Sequence, residues 1–511
     1  MYEANEAPFP FWGAETKTKG GRDPLAVQNS SVVIYSDMIT GITNVTGRVR
    51  YNGFFCWLLT FIAKRIASID ITKIDSPAEQ IRLIRRGELL LAYINRNVNG
   101  VSGGEFTGKY FDNDIIDLAW GADYENKSVH KIYWQNSMGI FGQYYLGALL
   151  QLRLVYAPTP GGSHKSYRVT QVGRKLAETF GQSLTENIED LFWEGIYSGK
   201  IATEKLPLMS VMALDKIDNE NELDEYLRIF RQPDRQDFTG TDICHRINSI
   251  RLLLEYIKEK GHETPSKGFV LSFLRYNFET VLGNINSAHD EQIAWFLYEL
   301  NELAHTAYEA FHFAILYSIS EEPQPLDNSL SGLKDEYDNY SHDSIDTDDI
   351  YSLYYHILRC YKEKSYGELL YVATHLLIVL YKTIEPHLET LIKFAQHESY
   401  DIMHPGFAPT LLIRLVDKTE NADWDFVENI LYTAINDHLR SSYGKSTIGQ
   451  GLVHNYMVDD GLIWKLRELR PGRTSPRLQN VLQYIEDMKW IKRSDEYYTI
   501  DTRGLSILND D

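Results

Sequence analysis

Residues 477–508, RLQNVLQYIEDMKWIKRSDEYYTIDTRGLSIL, read as an amphipathic helix that ends in a bulky apolar pair, Trp490-Ile491. A short polar tip follows, then a Tyr498-x-Ile500 alternation that leads into Gly504. Residues 144–180, YYLGALLQLRLVYAPTPGGSHKSYRVTQVGRKLAETF, keep the same order with Leu154-Val155, Tyr167-x-Val169 and Gly173. A switch from helical stripe to strict alternation marks a helix feeding a pair of strands. Helix, strand, polar hairpin and returning strand is the grammar of a winged helix. Two such modules are therefore predicted, one at about 133–180 and one within 441–511. Their tips differ in length, and a hairpin tip is where extra residues cost least.

Working outward, the chain is predicted to be mainly α and multi-domain, with the two winged-helix modules set around a helical middle. At 511 residues it exceeds what one core supports. Residues 1–30 read as an irregular arm, and 31–182 as a helical region carrying the first module. Segments 183–320 and 350–440 read as helical domains. Between them, 321–349 holds ten carboxylates against the single cation Lys334, and reads as an acidic linker or loop. Ser76-Pro77 with Glu79 predicts a capped helix start. Ser475 and Pro476 predict another, just before the stripe Leu478, Val481, Leu482 and Ile485.

The net charge of −20 repels phosphate backbones in general, so nucleic-acid binding needs a local basic patch. Such a patch lies at 465–493, where eight cations face three anions, a net of +5. The expected partner is double-stranded DNA. Its expected contacts are Arg473, Arg477, Gln479, Asn480 and Gln483 on the helix and Lys492 and Arg493 on the wing. Winged helices also serve as docking units, so one or more protein partners in a larger complex are expected as well. Three widely spaced cysteines exclude a disulfide framework and fit a reducing cytoplasm. The N-terminal residues show no basic start followed by an apolar run. The most apolar run, 369–381, is short for a span and carries His375, so a buried helix and no membrane association are expected.

Enzyme motifs are scarce. Gly103 and Gly108-Lys109 outline a phosphate loop, but Tyr110 stands where Ser or Thr should hold magnesium. Gly444-Lys445-Ser446-Thr447 lacks the earlier glycine. Glu302, His305, Glu309 and His312 share one helical face and form the alternative reading, a metal-dependent enzyme. A polar stripe beside an apolar one explains the same spacing. No catalytic residue, bound metal or cofactor is expected.

The block DPLAVQNSSVVIYSDMITGITNVTGRVRYNGFFCWLLTFI (23–62) resembles the N-terminal segment of an uncharacterised bacterial family found among mobile and phage-defence genes. YWQNSMGIFGQYYLGALLQLRLVY (133–156) is similar to it as well. The resemblance implies a bacterial cytoplasmic subunit of an antiviral defence complex and carries no site residues. In architecture alone, terminal winged helices around a helical middle are similar to the kleisin subunits that bridge chromosome-organising ATPases. That similarity implies the alternative role of a protein-docking bridge.

Overall fold

The computed structural model describes residues 23–69, 76–112, 114–158, 165–237, 239–340, 347–397, 402–404, 406–416, 422–446, 453–469, 471–494 and 496–509. The protein is mainly helical, and the strands among the described residues are short antiparallel pairs plus one three-stranded sheet. It divides into two compact units. Unit 1 is Met1–Ser36 with Leu274–Pro476, and unit 2 is Asp37–Phe273 with Arg477–Asp511. The predicted arm falls mostly outside the described residues. So do parts of the first hairpin tip (159–164) and of the loop after Ser446 (447–452).

Unit 2 is built on one plan used twice. Helix Leu146–Gln151 leads into the hairpin Val155–Tyr156 and Arg168–Val169, then helix Gln171–Gly181. Helix Leu478–Asp487 leads into Ile491–Arg493 and Tyr498–Ile500, then helix Thr502–Asn509. The backbone devices match position for position. Arg153 and Lys489 turn the chain out of the helix with φ of 54° and 59°. The N–H of Thr170 donates to the carbonyl of Leu154, and that of Asp501 to the carbonyl of Trp490, each at 2.9 Å. Gly173 and Gly504 lie against those same two carbonyls, so close that a Cβ on either would collide with the oxygen. This is why glycine stands there in both copies.

A second correspondence extends the plan. Helix Arg50–Ile69 opens with a buried arginine, and so does helix His245–Lys260 at its second residue. Arg50 pairs with Glu222 at 3.0 Å and donates to the carbonyls of Val211, Ala213 and Lys216. Arg246 pairs with Asp234 at 2.8 Å and donates to the carbonyls of Thr40, Ile229 and Gln232. Such bonds satisfy the charge that burial strips of water. The apolar faces below them also match, with Phe54, Trp57, Leu58 and Phe61 in one helix and Ile250, Leu253, Leu254 and Ile257 in the other. Phe180 of the post-hairpin helix packs edge-on against Phe54 and tilted against Trp57.

Helix Pro77–Ile94 starts as its sequence predicts. The Ser76 hydroxyl accepts from the Glu79 N–H at 3.4 Å, and Pro77 occupies the first turn.

Unit 1 is organised by helix Asp290–Ser318, whose residues are buried on every side from Ile293 to Leu316. A helix that is wrapped on all faces lies inside a bundle. Helices Tyr366–Ile384, Trp424–Ser446 and Ala408–Val416 pack around it. One segment among the described residues, Tyr366–Ala395, is long and apolar enough to cross a membrane, and 67% of its most apolar window is buried in the protein.

Two sequence expectations are corrected here. The acidic stretch 321–349 does not run as a linker throughout, because helix Leu326–Asn339 occupies its middle. Leu330, Leu333 and Tyr337, at helical spacing, are buried and anchor it, and the carboxylates line its outer face. Residues 341–346 lie outside the described residues. The module expected at 441–511 is also divided. Residues up to Pro476, with the strands Tyr456–Asp459 and Leu462–Lys465, belong to unit 1, and only 477–511 belong to unit 2. Its helix begins at Leu478, since Arg477 sits in the left-handed region at φ 60° and serves as the N-cap position in place of Ser475.

Candidate nucleic-acid interface

The seven residues expected to contact DNA fall in three settings. Arg473, in unit 1, ion-pairs with Glu299 and stands 3.8 Å from Glu302. Burial pushes its pKa down, but those two carboxylates outweigh it and hold it well above the usual arginine value. Arg477, Asn480 and Gln483 turn inward within unit 2. Arg477 donates to the Ile42 carbonyl at 3.1 Å, Asn480 to the Thr46 carbonyl at 3.1 Å, and Gln483 to Asp487 at 3.0 Å. Asp487 in turn takes Arg48 at 2.6 Å and the Val49 N–H at 3.2 Å. Burial lifts the Asp487 pKa to about 6, against the pull of Arg48. The expected reading face of this helix is thus closed onto the 42–49 segment.

Gln479, Lys492 and Arg493 are exposed. Lys492 pairs with Asp501 at 3.0 Å, and Arg493 lies over the Tyr498 ring. Other cations of the second module are matched by acids of helix Glu220–Arg231. Lys489 pairs with Glu220, and Arg503 pairs with Glu220 and Asp224. Much of the +5 charge counted along the sequence is therefore matched locally.

The first module is different, and its signal is an absence. Residues 126–177 contain no Asp or Glu, in a chain with 71 of them, yet carry Lys127, Lys131, Arg153, Lys165, Arg168, Arg174 and Lys175. All seven are exposed. Lys131 and Lys175 meet acids from outside the stretch, Glu105 at 3.2 Å and Glu225 at 3.3 Å. Arg174 makes no ion pair among the described residues. It lines, with Gln171, Val172, Lys175, Arg228 and the carboxylate of Glu178, a surface concavity of about 530 Å³ beside the hairpin. On the hairpin itself Arg168 is paired across the strands with Tyr156, which is 62% exposed. Directly opposed residues share a face of the ribbon, and both are exposed there. Searching for clustered cations missed this surface, and searching for missing carboxylates would have found it.

The loop before this module is rigidly built. Arg85, 1% exposed on helix Pro77–Ile94, donates to the carbonyls of Ala122 at 2.6 Å, Asn136 at 2.5 Å and Trp134 at 3.0 Å. Glu88, equally buried, accepts from the N–H groups of Phe141 at 2.6 Å and Ile140 at 3.1 Å and from the Tyr133 hydroxyl. Burial raises the Glu88 pKa to about 7 even against these donors and the Arg85 charge. Gly139, at φ +67°, leaves no room for a Cβ beside Glu88 and Tyr133. The chain then makes one π-helical turn, Phe141–Tyr145, where its pitch widens before Leu146–Gln151. Trp134 donates to Gln143 at 2.8 Å and packs edge-on against Tyr144, tying loop to helix.

The metal reading has its side chains engaged elsewhere. Glu302 accepts from the N–H and hydroxyl of Thr474, and Glu309 from the Gly472 N–H at 3.3 Å. His305 contacts Gln28 and lies 3.6 Å from Glu309, while His312 contacts Asn455. Glu302, Glu309 and His312 hold the 472–474 and 455 segments onto the central helix, while His305 meets Gln28. Burial lowers the His305 pKa, but Glu309 and Glu302 overcome it and bring it up to about 9. The one group with ligand atoms in range of each other, among the described residues, is His356, Cys360 and Glu368. Arg359 already stands 2.5 Å from His356 and 3.2 Å from Glu368, supplying the positive charge a metal would bring. Gly104–Lys109 forms a short helix with Lys109 over the Tyr110 ring, and Gly444-Lys445-Ser446 ends helix Trp424–Ser446.

Comparison with family models, with curated proteins and with solved structures yields no match.

Proposed function

We propose that this protein is a non-catalytic, nucleic-acid-engaging subunit of a larger complex, and that its first helix–hairpin–helix module, read as a winged helix, grips a phosphate backbone. The observation that carries this is the set of seven exposed cations on 126–177, a stretch of sequence without Asp or Glu in an otherwise acidic chain. Cations without interleaved acids release condensed counterions when they meet phosphates, which drives binding and makes it salt-dependent. The concavity at Gln171, Arg174 and Arg228 supplies shape beside that charge. The sequence resemblance adds the context of a bacterial antiviral system.

The test is a duplex-DNA titration of the full chain at two salt concentrations. Binding should weaken steeply with salt and fall at least tenfold in Arg168→Glu/Arg174→Glu. Lys492→Glu/Arg493→Glu should change it little. No binding at low salt, or an unaffected first variant, overturns the proposal.

A second reading, a docking bridge for a protein partner such as an ATPase, is favoured by Tyr156 and Leu150, which are 62% and 39% exposed on the same module. It predicts partner binding that is insensitive to salt and lost in Tyr156→Ser.

A further inference from the structure

The pinned loop and the helix it enters present an unusual combination. Gln135, Asn136 and Ser137 are exposed at the loop's crest. Gln143, Gly147 and Leu150 form the outward stripe of the helical turns that follow, at spacings of four and three residues. Gly147 has open space beyond its α-carbon, so another molecule can approach the backbone there. Leaving Arg85 and Glu88 without water is costly, and their bonds go to the loop's backbone at 134, 136, 140 and 141. A connection that only had to join two helices would need no such hold. A surface that must present amide groups in a fixed geometry does.

Resting on the nucleic-acid reading above, we propose that this face reads the sequence of duplex DNA. Gln135 and Gln143 meet base edges in the major groove, while the cations of the hairpin and of helix Gln171–Gly181 hold the flanking phosphates. Glutamine amides donate and accept side by side and so pair best with the N6 and N7 edge of adenine. The Gln143 carbonyl already accepts one bond from Trp134, which fixes the side chain. Its second lone pair can accept from adenine N6 while its NH₂ donates to N7, and it is the N6 bond that tells adenine from guanine. Gly147, one turn on, lets the helix settle into the groove without a side chain in the way.

The experiment is selection of bound sequences from a random duplex library with the full-length protein. Wild type should enrich a motif containing an A·T pair. Gln135→Ala/Gln143→Ala should keep its low-salt affinity within about threefold and lose that motif. Gln135→Lys should move the preference at one position toward G·C. Circular dichroism and thermal melting establish that each variant is folded. DNA binding without enrichment by wild type, or the same motif from the double variant, overturns this inference and leaves the backbone-binding proposal intact. Failure of wild type to bind any duplex instead removes the reading on which it rests.

Discussion

Arg85 and Glu88, three residues apart on helix Pro77–Ile94, hold the two ends of a single loop. The arginine takes the carbonyls of Trp134 and Asn136, and the glutamate takes the N–H groups of Ile140 and Phe141. One residue supplies donors and the other acceptors, so four of the loop's backbone groups are satisfied by side chains of one helix.

Glu88 should leave a pH signature. Its folded pKa, about 7, lies above the ordinary carboxylate value, so the fold favours its protonated form. That contribution to stability is complete below about pH 4.5 and is lost as pH rises through 7. Chemical denaturation of wild type and Glu88→Gln at pH 5, 6.5 and 8 should show wild type losing ground steadily relative to the variant. A pH-independent gap between them would refute the assignment.

His312 and His438, buried in unit 1, give the opposite slope. Burial depresses the His312 pKa to about 4, and burial with the neighbouring His312 and His454 takes His438 to about 2. Both groups contribute stability above the ordinary histidine value that is lost as pH falls toward 4, because only the unfolded chain protonates readily there. Melting temperature should therefore drop more steeply between pH 6.5 and 4 in wild type than in His438→Gln, measured by calorimetry.

Arg473→Met should damage the fold. It leaves Glu299, fully buried, without its charge partner. Loss of one member of such a pair costs about 3–5 kcal/mol. Urea denaturation should register that loss, and any fall in DNA binding should track the unfolded fraction. A stable Arg473→Met protein with weakened DNA binding would show that Arg473 contacts the ligand after all.

The matched glycines make a paired prediction. Gly173→Ala and Gly504→Ala each force a methyl onto a backbone carbonyl, and overpacking of this kind costs roughly 1–3 kcal/mol. Gly147→Ala, in open space within a helix, should be neutral or stabilising by about 0.5–1 kcal/mol. Melting temperatures of the three variants provide the check.

Local sequence signals were legible where local chemistry decides. The Ser76 cap and both hairpins with their Tyr-x-(Val/Ile) and glycine could be read directly because neighbouring residues determine them. The helix at Leu326–Asn339 was hidden because its three anchoring side chains are outnumbered by carboxylates that carry no packing information. The role of Arg473 could not be read at all, since its partners Glu299 and Glu302 lie far upstream and only the fold brings them together. The cationic surface of 126–177 was visible in principle. A count of charges present overlooks a gap in charges expected.

Residues 477–511 complete unit 2 but are synthesised after the whole of 274–476. Until they leave the ribosome, Arg48 and the Val49 N–H have no Asp487, and the carbonyls of Ile42 and Thr46 have no Arg477 or Asn480. Unit 2 therefore cannot close during translation of its first 237 residues. Its assembly waits on the passage of a whole intervening domain, and through that interval the 42–49 segment is open to chaperones or to a partner chain.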